Sequence, residues 1–144
     1  MAERQRKLSD VLKRGYSDEE LSHIYELGRF HLENGQVKRA ETIFSGIISV
    51  APEYVPAWLG LACVHVHENN VEAALQAARS AQRITADSPE VLLFLSSCLL
   101  MLGDYTAAGT YLGEVGERIQ SGNIDTPNIV RFFRSQLARY EGEA

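Results

Sequence analysis

Four histidines, two cysteines and one pair of adjacent serines are the side chains of this 144-residue chain most able to do chemistry, and their spacing argues against most of it. His31 and His65 are far apart in sequence. His67 follows His65 by two residues, which puts it on another face of any helix holding both. A zinc site would draw on HExxH or on paired cysteines, and neither pattern occurs. Cys63 and Cys98 stand alone on apolar stretches, the setting of an inert buried thiol. A bridge between them would need Cα atoms within about 7 Å, a distance that residues about one repeat apart on neighbouring helices tend to exceed. Ser96 and Ser97 have no histidine near them to act as a base, and helical serines commonly bond back to their own backbone. The 11 glycines are dispersed, with no GxGxxG and no P-loop. No catalytic, cofactor-binding or metal-binding residue is assigned, and the chain does not read as an enzyme.

Composition points the same way. A hydrophobic fraction of 45% and a charged fraction of 23% are ordinary for one globular domain. No apolar run approaches the roughly 20 residues that span a bilayer, and the opening MAERQRKLSD lacks the apolar core of a secretory signal, so a cytoplasmic protein without membrane insertion is expected. The net charge of −5 is unevenly placed: Arg4, Arg6, Lys7, Lys13 and Arg14 outnumber Glu3 and Asp10 in the first 16 residues, and the remainder is acidic. An acidic body argues against nucleic-acid binding, which needs a basic face. The basic arm reads as a solvated terminus.

The elements that would position any site repeat with a period of 34 residues. Ile24, Leu27, Gly28 and His31 are followed by Gly35, Ala40, Phe44 and Pro52. The pattern returns as Trp58, Leu61, Ala62 and His65 with Asn69, Ala74 and Ala78, then as Leu92, Leu95, Ser96 and Leu99 with Gly103, Ala108 and Leu112. It resembles the tetratricopeptide repeat, a pair of antiparallel helices. The resemblance implies an all-α fold of three helix pairs in a right-handed superhelical stack, at about 21–54, 55–88 and 89–122 within residues 17–122. A basic arm with a short helix precedes it (1–16), and a C-terminal capping helix and tail follow (123–144).

Local signals set the helix limits. Leu8, Val11 and Leu12 form a short apolar stripe ended by Gly15. Ser17 and Glu20 make a capping box for a helix running from about 18 to Glu33, where Asn34-Gly35 turns the chain. Its partner runs from about Val37 to Val50, and Asn69-Asn70 and Gly103-Asp104 are the corresponding turns of the next pairs. Pro56 and Pro89 sit in first turns, the latter behind Asp87 or Ser88 as cap. Gly28, Ala62 and Ser96 share one repeat position and Ala40, Ala74 and Ala108 another, where large side chains would hold paired helices apart. After Gly122, Asp125 or Thr126 caps a last helix at about 128–140, with Ile129, Phe133, Leu137 and Tyr140 on one stripe.

In the tetratricopeptide family the first helix of each pair lines a concave groove. Register then assigns Tyr25, Arg29 and Leu32 to the groove from the first repeat, Leu59, Cys63 and Val66 from the second, and Leu93, Ser97 and Leu100 from the third. Most are apolar, so an exposed hydrophobic groove is expected, the kind of surface that marks an interaction site. The competing reading packs the same residues against the C-terminal helix or a second copy. Relatives that clamp the acidic tail of heat-shock chaperones use lysines, asparagines and an arginine there. This chain has Tyr25, Arg29, Gly60, Glu90 and Phe94 instead, and Glu90 would repel a carboxylate.

A short leading helix, the segment SDEELSHIYELGRFHLENGQVKRAETIF, three repeats and a C-terminal tail are together similar to the small tetratricopeptide chaperones of bacterial type III secretion. The likeness covers roughly residues 8 to 120. It implies a protein-binding module that holds a hydrophobic or amphipathic segment of a client, a secreted translocator or a needle subunit, with self-association through the N-terminal arm left open. A generic tetratricopeptide scaffold or assembly factor is the alternative.

Overall fold

The computed structural model describes residues 15–143; the leading helix expected around Leu8, Val11 and Leu12 lies outside the described residues. Seven helices fill this range: α1 (Asp18–Glu33), α2 (Val37–Val50), α3 (Val55–His67), α4 (Val71–Ile84), α5 (Pro89–Leu102), α6 (Tyr105–Gln120) and α7 (Pro127–Glu143). No strand occurs among the described residues. Two compact units divide the chain: Met1–Asn69, which holds α1 to α3, and Asn70–Ala144, which holds α4 to α7.

The helix ends follow local chemistry. Ser17 Oγ accepts from the Glu20 amide at 3.1 Å while Glu20 Oε1 accepts from the Ser17 amide at 3.3 Å, so both halves of the capping box form. Asn70, Ser88 and Asp104 each accept a backbone N–H three residues on, starting α4, α5 and α6. Asn69 is the one non-glycine residue with positive φ among the described residues, at 59°, and Gly103 closes α5 at 82°. An asparagine tolerates this left-handed conformation because its short polar side chain can bond locally.

In the first unit the core gathers around Phe44, which is fully buried with Ala40 and Val64. Its ring lies between two glycines on different helices. A Cβ at Gly28 of α1 would come 2.6 Å from Phe44 Cε1, and one at Gly60 of α3 would come 2.7 Å from Phe44 Cζ. Those glycines are what let α1 and α3 close on one aromatic ring. Leu21, Ile47, Ala51 and Ala57 form a second cluster beside it.

In the second unit α5 is apolar nearly all round and packs against α4, α6 and α7. Ser96 is buried there without a polar debt, because its Oγ donates to the Leu92 carbonyl at 2.9 Å. Ala74 and Ala108 are fully buried, as the repeat position demands. The last helix starts one residue before its expected limit and runs three beyond, and it lies on both α5 and α6. Phe132 meets Phe94 edge-on with ring centroids 5.4 Å apart. Phe133 and Tyr140 lie over Gly116 and Gly109 of α6, where a Cβ would come 3.1 and 2.8 Å from the rings' outer atoms.

Candidate binding face

Helices α1 and α3, which carry the first two sets of residues assigned to a groove, contact each other in the first unit. Tyr25 is half-buried, its ring 5.7 Å from Phe44 and 6.4 Å from Tyr54, so it is fixed by core aromatics on one side and exposed on the other. Tyr54, just before α3, was not singled out by register. Its phenol is raised above the ordinary 10.0 first by burial, with Asp18 and Glu26 adding to the shift and a hydrogen bond with Ser22 opposing it. Arg29 is exposed and held by Glu33 at 3.3 Å. Leu32, Cys63 and Val66 are half-buried.

The expectation of an open apolar groove needs correction at three positions. Leu59 is buried, and Leu93 and Leu100 are buried on the second unit's α5. Register states which way a side chain leaves its helix; it does not state what covers that side. Helices α3 and α5 are apolar on almost every face, so the groove-facing leucines join the core. Ser97 on α5 remains half-exposed. A glutamate at Leu93 would place a charge in a fully buried site and strongly destabilise the fold. Gly60, which stands where clamp relatives carry an asparagine, is explained by the Phe44 ring that occupies the space.

Other hollows lie elsewhere. One of about 270 Å³ opens between α1 and α2, and one of about 450 Å³ lies between α6 and α7 around Phe133 and Tyr140. Cys63 is half-buried and Cys98 buried, and the two form no disulfide among the described residues. His31 pairs with the Gln36 side chain, and His67 Nδ1 lies 2.9 Å from the Cys63 carbonyl oxygen.

One grouping was invisible in the spacing: the ligand-type atoms of Glu41, His65 and Glu68 come within 4.8 Å of one another. Lys38 already supplies their positive charge, with Nζ 3.0 Å from Glu68 and 3.9 Å from Glu41. The hydrogen bond from Lys38 lowers the Glu68 carboxyl below its usual range, and Glu68 in turn raises the Lys38 amine. The cluster ties α2 to the end of α3.

The class of fold is a tetratricopeptide-type helical repeat: residues 31–92 match the family model for the tetratricopeptide repeat. Among solved structures the chain is similar to the type III secretion translocator chaperone SycD of Yersinia enterocolitica. The TM-score is 0.77 at 17% identity, over 92% of this chain and 96% of that one. PcrH from Pseudomonas aeruginosa matches with a TM-score of 0.73 at 22% identity, over 90% and 95%. A SycD structure in complex with a peptide of the translocator YopD matches at 0.73 and 17% identity, over 88% and 94%. No curated protein matches the sequence. Among the described residues no helix is long and apolar enough to cross a membrane.

Proposed function

We propose that this protein is a cytoplasmic export chaperone of a type III secretion system, one that binds its client and performs no catalysis. The observation that carries this reading is the fold likeness over about nine-tenths of both chains to translocator chaperones, one of them holding a translocator peptide. The α1 and α3 surface supports it: Tyr25, Leu32, Cys63 and Val66 offer half-covered apolar area, and Arg29 adds one charge. A client segment laid across it would be read through apolar anchors. Ordering that segment offsets much of the gain from burial, which suits a complex that must later release its cargo.

The test is a pull-down of tagged protein from its native cytoplasm with mass spectrometry of what stays bound, and co-expression with the candidate recovered. Recovery of a hydrophobic secreted protein, made soluble by the partner and released by Arg29→Glu or Val66→Glu with helicity intact, is the expected result. Recovery of proteins that are soluble without it, or binding indifferent to both substitutions, would instead identify a scaffold.

A further inference from the structure

At the end of α3 three metal-ligating side chains of the first unit converge from two helices. His65 and Glu68 are three residues apart, so they leave α3 on one face, and Glu41 reaches them from α2. His65 Nδ1 lies 3.6 Å from Glu68 Oε1, and the ligand-type atoms of all three come within 4.8 Å of one another. An imidazolium paired directly with a carboxylate would close to about 2.8 Å. The longer spacing is near the edge of a zinc tetrahedron, where two ligand atoms, each about 2.0–2.1 Å from the ion, stand about 3.4 Å apart.

The cluster already collects a cation. Lys38 Nζ reaches Glu68 Oε2 at 3.0 Å and Glu41 Oε1 at 3.9 Å, which leaves Oε1 of Glu68 turned toward the imidazole. The Lys38 side chain is 81% exposed, against 22% for His65, 27% for Glu68 and 33% for Glu41. The three ligands are thus mostly covered, whereas the ammonium reaches in from water and can leave at little cost. Helix α3 ends at His67, and the outward carbonyls of its last turn add negative potential at the same place.

We propose that Glu41, His65 and Glu68 form a binding site for a zinc-class divalent cation, which displaces the Lys38 ammonium and clasps α2 to the end of α3. One imidazole nitrogen with two carboxylate oxygens suits zinc and its neighbours cobalt and nickel, with water in the fourth position. Magnesium and calcium prefer shells of six or more oxygens and gain nothing from the nitrogen. The ligands meet only through the packing of α2 on α3, so the ion binds the folded state and stabilises the first unit.

The test titrates Zn²⁺ or Co²⁺ into the full chain after stripping metal with a chelator and removing the chelator. The expected result is one ion per chain at micromolar affinity, a higher thermal midpoint, and the strong visible absorption of tetrahedral Co²⁺. In nitrogen NMR spectra of the unsubstituted chain, the His65 Nδ1 resonance should move on adding Zn²⁺ while those of His23, His31 and His67 stay in place. His65→Gln and Glu41→Gln should each weaken binding by more than the roughly 10–100-fold that loss of an outer-shell partner costs. Lys38→Met should tighten it several-fold by removing the resident ammonium, and His23→Gln or His67→Gln should leave it unchanged. Zinc held with the His65 resonance unmoved would be an adventitious ion only and would overturn the proposal. Undiminished affinity in His65→Gln, weaker binding in Lys38→Met, or an equal rise in midpoint with Mg²⁺ would overturn it as well.

Discussion

The two ends of the described chain solve the same problem differently. At the last helix pair, α7 lays Phe132, Phe133 and Tyr140 over α5 and α6. At the first pair, Leu27 and Phe30 stay exposed among the described residues, although Leu27 holds the same repeat position as the buried Leu95. The repeat pattern thus fixes which residue types recur but not how much each one stabilises. That depends on whether a neighbouring helix follows or precedes. Leu95 and Leu27 make the sharpest pair on which to break this comparison. Leu95→Ala should cost about 3 kcal/mol in urea unfolding, as for a buried leucine, while Leu27→Ala should cost less than about 1 kcal/mol. Equal costs would mean that both ends are covered alike in solution.

The covering helix itself can be weighed next. Phe133 is half-buried, so Phe133→Ala should destabilise by about 2 kcal/mol, less than truncation of a fully enclosed ring. Hydrogen exchange should rise along α6 and α7 while α1 to α3 stay protected. A uniform rise along the chain would show that the two units unfold as one.

How much of this was readable beforehand follows from the same contrast. Ser17 with Glu20, Asn34-Gly35 and Gly103 located helix ends within a residue or two, because caps and left-handed turns are local chemistry. The small residues at the repeated positions also behaved as read: Gly28, Ala62 and Ser96 are all buried. Which of the positions assigned to a groove are exposed was not legible. Tyr25, Arg29, Leu32, Cys63, Val66 and Ser97 keep exposed area, whereas Leu59, Leu93 and Leu100 do not, a difference made by neighbours distant in sequence. For the same reason Glu41, His65 and Glu68 could not be grouped by spacing, being brought together by the packing of α2 on α3.

Glycines under aromatic rings occur at both ends, and substituting them sharpens the contrast further. At Gly60 a Cβ would meet the Phe44 ring at 2.7 Å with no flexible atom to yield, while at Gly116 it would meet the outer edge of Phe133 at 3.1 Å. Overpacking costs about 1–3 kcal/mol, and alanine returns up to about 1 kcal/mol in helix propensity. Gly60→Ala should therefore lose about 1–2 kcal/mol, and Gly116→Ala should be close to neutral. A stabilised Gly60→Ala would show that Phe44 can move aside, and that the first unit is packed more loosely than its buried ring indicates.

The smallest effect expected is electrostatic and belongs to the first unit alone. Lys38 is exposed, so its pair with Glu68 is screened by water and contributes little, in the manner of surface ion pairs. Its pH dependence has a definite sign. Glu68 titrates below its ordinary 4.5, chiefly because Lys38 donates to it, so its contribution is present above that value and fades as pH falls through the lowered one. Lys38 titrates above its ordinary 10.5, so its contribution is complete below that value and is lost as pH rises through the raised one. Urea midpoints of Lys38→Met and the parent should therefore differ slightly near neutral pH, converge in acid and converge again in strong base. A gap that persists at acid pH, where Glu68 is protonated, would assign the effect of Lys38 to its hydrocarbon stem instead of to its charge.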